Sequence, residues 1–277
     1  MGTKGTRGIL NPVDGLAHFS LERELPPDDL AGFVDRFWRV RWDLAGRPPF
    51  EQEILPYPCV NVSFQSGRFE VHGPGTRRFV ARLTGRGRVF GTKFTPAGFS
   101  TFARVPMRSL CDRVVSLEEA TGREPPKPHD DEPATLRAAV TAFFRGFAPE
   151  PDEDLALVDR LVALAQEDRS IARAEDLARV AGTSVRSLHR LFERHVGVGP
   201  KWVVRRSRVQ EAADRVARGE RVDWAATAQD LGYHDQAHLI GDFRTQVGFT
   251  PAAYARRCAA AASRTPGARG AASTASG

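Results

Sequence analysis

The chain has 277 residues, of which 41% are hydrophobic and 27% charged, as in an ordinary globular protein with room for two domains. No apolar run is long enough to span a membrane, and the N-terminus lacks the apolar segment of a secretory signal. The net charge of +6 and the pI of about 9.7 favour a polyanionic partner such as nucleic acid.

The three cysteines lie far apart, are odd in number and follow no metal-ligand spacing. This pattern is typical of reduced thiols in a cytoplasmic protein. We therefore expect a cytoplasmic location, no metal, no cofactor and no membrane partner.

The region from residue 15 to residue 122 has short apolar segments broken by glycine and proline, which predict a β-rich domain. A helix is an alternative at the start of the first of these segments, over 30–37. A short helix is predicted over 114–120, because Ser116 can cap it with Glu119 three residues later. The predicted strands are 34–42, 53–55, 60–65, 68–72, 79–82, 88–94 and 100–102.

Residues 123–152 are rich in proline and acidic side chains, which cannot continue a helix or a central strand. We interpret this stretch as a linker between two domains, interrupted by one apolar helix over 135–147. Its phenylalanines, Phe143, Phe144 and Phe147, are expected to pack either in the core of the same chain or against a second copy.

One short pattern occurs twice, at 177–200 and again at 228–251. Each copy has a short apolar-periodic helix, a glycine turn, and a second helix that ends in Val-Gly followed by a proline. Phe192 of the first copy aligns with Phe243 of the second. This is the anatomy of a helix-turn-helix, whose second helix lies in the major groove of DNA. The repeat therefore predicts a transcription factor.

In the first copy the predicted helices are 175–180 and 185–196, with Gly182 at the turn and Ser184 as the cap of the second helix. One long helix over 201–218 then forms a strut to the second copy. Val209 lies on its predicted buried side, and its predicted basic side is formed by Lys201, Arg205, Arg206 and Arg208. There Asp223 caps the first helix, and the second helix begins near Asp235.

These residues resemble the AraC/XylS-type transcriptional regulators, in which two helix-turn-helix units are joined by a long helix. The family pattern Phe-x-x-x-Val-Gly-x-x-Pro, with an aromatic residue three positions later, is supplied here by Phe243, Val247, Gly248, Pro251 and Tyr254. The resemblance covers 155–257. It implies an α+β protein, with the β-rich domain followed by an all-α DNA-binding domain over 153–257, and we expect a disordered tail over 258–277.

The N-terminal half also resembles a known type of domain. Residues 55–61, 91–99 and 112–117 are similar to the β-rich sensor-like domain found ahead of AraC-type modules. That resemblance names no ligand.

The outward faces of both second helices read bases in such regulators. By that resemblance the base-reading positions here are Arg186, His189, Arg190, Gln236, Ala237, Ile240 and Gly241. The side chains that we expect to contact phosphate are Ser184, Arg194, Lys201, Arg205 and Arg206.

Two departures from the family pattern matter. Arg173 stands where a Ser or Thr cap is usual, so the helix start after it is expected to fray. Gly241 and Ile240 stand where polar readers are common. We therefore expect the first unit to provide most of the sequence discrimination, with adenine recognition by Gln236 and a thymine-methyl contact by Ile240 in the second.

Two local motifs have alternative interpretations. His234-Asp235-Gln236-Ala237-His238 is similar to the zinc-protease motif H-E-x-x-H, but its third ligand is missing nearby, so helix capping is favoured. Cys59 is either a small buried residue, which is favoured, or a reactive thiol.

Two functions follow from these observations. The favoured one is a sequence-specific regulator of transcription, not an enzyme, whose N-terminal domain senses a signal or joins subunits. Its partners would be double-stranded DNA, with RNA polymerase, a small-molecule effector and a second copy as further candidates. The alternative is a DNA-targeted enzyme or repair protein that uses Cys59.

Overall fold

A computed structural model describes residues 8–220 and 222–264 of the chain. A β-rich region precedes a helical region, which confirms the predicted α+β fold class. The strands are β1 Phe19–Glu24, β2 Val34–Leu44, β3 Phe50–Ile54, β4 Asn61–Gln65, β5 Arg68–His72, β6 Phe79–Leu83, β7 Gly85–Phe94 and β8 Val114–Ser116. The helices are α1 Pro12–Gly15, α2 Leu117–Thr121, α3 Pro133–Arg145, α4 Glu153–Glu167, α5 Ala174–Val180, α6 Val185–His195, α7 Pro200–Ala217, α8 Trp224–Asp230, α9 Gln236–Val247 and α10 Pro251–Arg264.

The large sheet is antiparallel, with the strand order β1-β2-β7-β4-β5-β8, and β3 pairs with β6 in a separate two-stranded sheet. Side chains alternate along a strand, so Phe69 and Val71 of β5 point into the core while Arg68 and Glu70 are exposed. On β7, Gly87 and Gly91 lie under the indoles of Trp42 and Trp38. A Cβ atom at either glycine would come within 2.1 Å of the ring.

Four points of the prediction for the β-rich region need correction. β1 was not predicted, because this edge strand buries Phe19 but exposes most of its other side chains. Residues 100–102 do not form a strand: Gly98–Thr101 is a 3₁₀ turn that buries Phe99 and, just after it, Phe102. The helix at 114–120 starts only at Leu117, after β8, although Ser116 caps it as expected by accepting a hydrogen bond from the Glu119 amide at 3.0 Å. The alternative helix over 30–37 is also wrong, since β2 begins at Val34.

The linker helix α3 belongs to the core of the sheet region. Phe144 is fully buried, and its ring centroid lies 5.0 Å from that of Phe94 and 4.8 Å from that of Phe102, both at edge-on angles. Phe143 and Phe147 pack beside it and remain partly buried. The phenylalanine cluster therefore packs within its own chain, as the first of the two alternatives expected.

The same hydrophobic core continues into the first helix-turn-helix unit. One cluster of buried residues runs from the sheet through α3 and α4 to Leu188 and Phe192 of α6. A separate cluster joins the second unit to Leu10 and Leu55 of the N-terminal region. Both helix-turn-helix units are thus packed against the β-rich region rather than tethered to it by a free linker.

Asp159 of α4 is one of the polar links between the two regions. Its Oδ1 accepts a hydrogen bond from the Ala97 amide at 2.8 Å. Burial raises the pKa of this carboxyl to about 6. The charged form is therefore disfavoured in the folded state, so the contribution of Asp159 to stability falls as the pH rises from about 4 through 6.

Asp159→Asn should therefore be more stable than the wild type at pH 8, by about 1–3 kcal/mol, because asparagine keeps the acceptor oxygen without the charge. The gain should shrink as the pH is lowered towards 4.5. Urea denaturation at several pH values measures it, with Asp28→Asn as the control, since Asp28 is exposed. A loss of stability at pH 8 would contradict the assignment.

The C-terminal helix is longer than the sequence predicts. The disordered tail was expected from residue 258, but α10 continues to Arg264 and buries Cys258 and Ala261. Residues 265–277 lie outside the described part of the chain. Among the described helices, none is both long and apolar enough to cross a bilayer.

Candidate nucleic-acid interface

The first helix-turn-helix consists of α5 and α6, separated by Gly182 with φ of 61°. Ser184 caps α6 by accepting a hydrogen bond from the Ser187 amide at 3.1 Å, as predicted. Leu188 and Phe192 of α6 are fully buried, which fixes the rotation of the helix and turns Arg186 and Arg190 to the solvent.

The start of α5 does not fray as expected. The Asp176 carboxylate accepts hydrogen bonds from the amides of Ala172 at 3.0 Å and Arg173 at 2.9 Å. A carboxylate in the first turn thus replaces the missing cap of residue 173 and also suits the positive end of the helix dipole.

The second unit repeats this geometry with α8 and α9. Asp223 caps α8 through the amides of Ala225 and Ala226, and Asp235 caps α9 through the amide of His238 at 2.8 Å. Leu239 and Phe243 are fully buried, as are Leu188 and Phe192 of α6. Leu188 and Phe192 of the first copy, and the residues aligned with them in the second copy, are therefore buried alike.

Most of the predicted base-reading positions lie on the open side of α6 and α9. His189 is partly buried, because its ring lies over Gly199, where a Cβ atom would be 3.3 Å away, and Ile240 is also partly covered. The exposed positions are Arg186, Arg190, Gln236, Ala237 and Gly241. Within the described residues, neither arginine takes part in an ion pair, so both guanidinium groups are available.

The five predicted phosphate contacts divide into three groups. Ser184, Arg194 and Lys201 are exposed, with Lys201 in the first turn of α7. Arg205 is half-buried, and its Nε lies 2.9 Å from Asp242 Oδ2. Its Nη2 lies 2.6 Å from His238 Nε2, and because a guanidinium only donates, this imidazole nitrogen must accept. Arg205 thus anchors α9 to α7.

The phosphate contact predicted for Arg206 is wrong, because this side chain is only 1% exposed. Its Nε donates to the carbonyl oxygen of Pro56 at 2.7 Å, and its Nη2 donates to Gln210 Oε1 at 3.0 Å. One step along α7 rotates a side chain by about 100°, so Arg206 faces the β-rich region while Arg205 faces α9.

Arg208 is a structural residue that the sequence did not identify. It was grouped with the basic face of the strut, but it is 3% exposed and donates to the carbonyl oxygens of Arg169, at 3.1 Å, and Ile171. The sequence signal for its burial was its position next to Val209, which lies on the buried side of α7. It holds the loop that leads into α5.

The two alternative motifs are explained by local structure. Asp235 is a helix cap, and no group of three or more His, Cys, Asp or Glu residues in the described chain could hold a metal ion. Cys59 is 2% exposed, and burial raises the pKa of its thiol to about 11. A buried, protonated thiol does not support the reactive role.

Comparison with known families finds a match in each half of the chain. Residues 177–257 match the family model of a helix-turn-helix domain, and residues 22–116 match that of a domain of unknown function, DUF6597. An uncharacterized HTH-type transcriptional regulator of Haemophilus influenzae is 28% identical over 102 residues. That match covers 37% of this chain and 34% of the relative, so the chain spans about a third of the curated relative's length.

Solved structures with partial similarity include the DNA-binding domain of AdpA in complex with a target DNA. It is 28% identical and covers 42% of this chain and 100% of that one, with a TM-score of 0.33. The C-terminal domain of AraT, a response regulator from Geobacillus stearothermophilus, is 21% identical over 36% of this chain and 84% of that one, with a TM-score of 0.34. ToxT from Vibrio cholerae is 10% identical over 86% of this chain and 98% of that one, with a TM-score of 0.39.

Proposed function

We propose that this protein, whose residues 177–257 form an AraC-type helix-turn-helix domain, is a sequence-specific DNA-binding regulator of transcription. The observation that supports it most is the exposed face of α6. Arg186 and Arg190 extend from one open side of a helix whose opposite side is fully buried. Arginine can bind guanine O6 and N7 with two parallel hydrogen bonds.

The two units would read DNA together. Helices α6 and α9 would enter successive turns of the major groove about 34 Å apart, so one chain would read a non-palindromic site of about 15–20 base pairs. The first unit would provide most of the discrimination through Arg186 and Arg190. The second would contribute Gln236, and a thymine-methyl contact from the partly buried Ile240.

Selection of bound sites from random DNA tests the proposal. The full chain should be used, because the first unit shares its core with the sheet and would expose apolar side chains if isolated. The expected result is a motif of two unequal halves, about 10 base pairs apart from centre to centre. A chain with both Arg186 and Arg190 changed to alanine is the matched control, and enrichment of no motif by the wild type would refute the proposal.

Salt dependence gives a separate expectation for the phosphate contacts. Lys201→Ala should weaken binding equally on all sequences and reduce the slope of log K against log salt by about 1, because one fewer counterion is released. Fluorescence anisotropy at several salt concentrations measures the slope. Arg68→Ala, an exposed change on β5, is the control, and an equal effect of both changes would contradict the assignment.

For the N-terminal domain we propose regulation of the DNA-binding half, by sensing a signal or by joining subunits. The support is its extensive packing against both helix-turn-helix units. RNA polymerase, a small-molecule effector and a second copy are the further partners that such a regulator would use, in the cytoplasm beside the DNA. The enzymatic alternative through Cys59 has no support from the buried thiol.

A further inference from the structure

The N-terminal region contacts the same turn in both helix-turn-helix copies. Val196-Gly197 follows α6, and its counterpart Val247-Gly248 ends α9. Both glycines have left-handed backbone angles, with φ of 87° and 82°. Each turn lies at the C-terminal end of a recognition helix, so whatever holds the turn also fixes the direction of that helix.

The first turn rests on the 3₁₀ turn Met107–Leu110 and its neighbours. A Cβ atom at Gly197 would lie 2.6 Å from the Met107 carbonyl oxygen, so there is no room for a side chain. The Cys111 thiol donates to the Gly197 carbonyl oxygen at 3.0 Å. Ser100 Oγ lies 3.0 Å from Nδ1 of the buried His195. This contact is therefore close-packed and hydrogen-bonded.

The second turn rests on the two-stranded sheet through Arg78, which directly precedes β6, and Arg257 of α10. The guanidinium of Arg78 lies 4.7 Å from the ring centroid of Phe249, and that of Arg257 lies 4.2 Å from it. Both arginines donate to Glu53, which is only 8% exposed, with Arg257 at 3.0 Å. A Cβ atom at Gly248 would lie 2.3 Å from Arg78 Nε.

A third contact joins the strut between the two copies to the same region. Arg206 of α7 donates to the Pro56 carbonyl oxygen, two residues after the end of β3, and Glu53 lies within β3. The N-terminal region therefore contacts both recognition-helix ends and the helix that connects the two units. None of these contacts covers Arg186, Arg190 or Gln236, which stay exposed.

We propose that the N-terminal domain is a brace that sets the distance and angle between α6 and α9, with Arg78 as a positioning residue at the second turn. This inference rests on the proposed DNA-binding function. The brace acts through geometry and not by masking the DNA-binding face. Binding therefore depends on the spacing between the two half-sites. A conformational change in the N-terminal domain moves both helices, because this domain contacts their C-terminal ends.

Arg78→Ala tests the brace, with Arg82→Ala, four residues further along in β6, as the exposed control. Affinity is measured for the selected site and for sites with one or two base pairs added or removed between the halves. The wild type and Arg82→Ala should lose affinity sharply when the spacing changes. In Arg78→Ala this spacing penalty should fall by about fivefold or more, the range of an ordinary coupling between sites. Arg78→Lys should restore it in part, because lysine keeps the charge but not the flat stacking surface.

Hydrogen exchange on the full chain without DNA gives a second readout. Arg78→Ala should speed amide exchange in residues 244–258 and leave residues 192–200 unchanged. The double change Ser100→Ala and Cys111→Ala should have the opposite pattern. Unchanged exchange, or faster exchange with an unchanged spacing penalty, would overturn the brace. A wild type that selects no DNA site would refute the proposed function and with it the spacing claim, whereas the exchange patterns still report whether the contacts hold the two turns.

Discussion

Arg190→Ala is expected to weaken binding to the selected DNA site by about 5- to 150-fold, which corresponds to about 1–3 kcal/mol. Arg190 is exposed on α6, one helical turn from Arg186, while Leu188 and Phe192 on the other side fix the helix rotation. A guanidinium that binds guanine at O6 and N7 discriminates against the other bases. The variant should therefore also tolerate other bases at one position of the site.

Affinity is measured on the selected site and on all of its single-base variants. A lost base contact changes the preference at one position, whereas a general loss of charge weakens binding to all sites. Arg194→Ala is the matched control, since this exposed residue lies in the last turn of α6 and is expected to contact phosphate. It should weaken all sites equally. The idea that the first unit dominates would be wrong if Gln236→Ala caused the larger loss and Arg190→Ala caused none.

Phe144→Ala is expected to lower the free energy of unfolding by about 3–5 kcal/mol. The ring is fully buried among Phe94, Phe102, Phe143 and Phe147, so its removal leaves a cavity in a close-packed aromatic cluster. Because this cluster belongs to the core that continues into α6, the loss should be seen in the sheet and in the first helix-turn-helix together.

Denaturant unfolding followed by circular dichroism and by hydrogen exchange in α6 measures the effect. Phe79→Ala is the control, because that side chain is 47% exposed and should cost far less. A loss below about 1 kcal/mol, or separate unfolding of the sheet and the first unit, would contradict the shared core.

The helical half could be predicted from the sequence because its signals are local. The caps Ser184 and Asp223 and the helix start near Asp235 were each predicted from one residue and its neighbours, and all three side chains accept backbone hydrogen bonds. The repeat itself located the buried faces of α6 and α9. Signals of this kind need no knowledge of distant contacts.

The errors arose where a distant partner decides the outcome. Arg206 and Arg208 are basic residues on a helix near DNA-reading elements, yet each donates to carbonyl oxygens far away in the sequence, at Pro56 and Ile171. Composition alone cannot distinguish such an arginine from one that binds phosphate. The edge strand β1 is similar, since its pairing with β2 and not its own alternation determines its structure.

The contacts of the two Val-Gly turns determine whether the two copies of the repeat could be exchanged. The turns correspond in the repeat, but Gly197 is blocked by a carbonyl oxygen and Gly248 by a guanidinium. The two copies of the repeat are thus fitted to unlike neighbours. The two copies are not interchangeable. In a chimera with the copies exchanged, neither turn would fit the residues that it packs against.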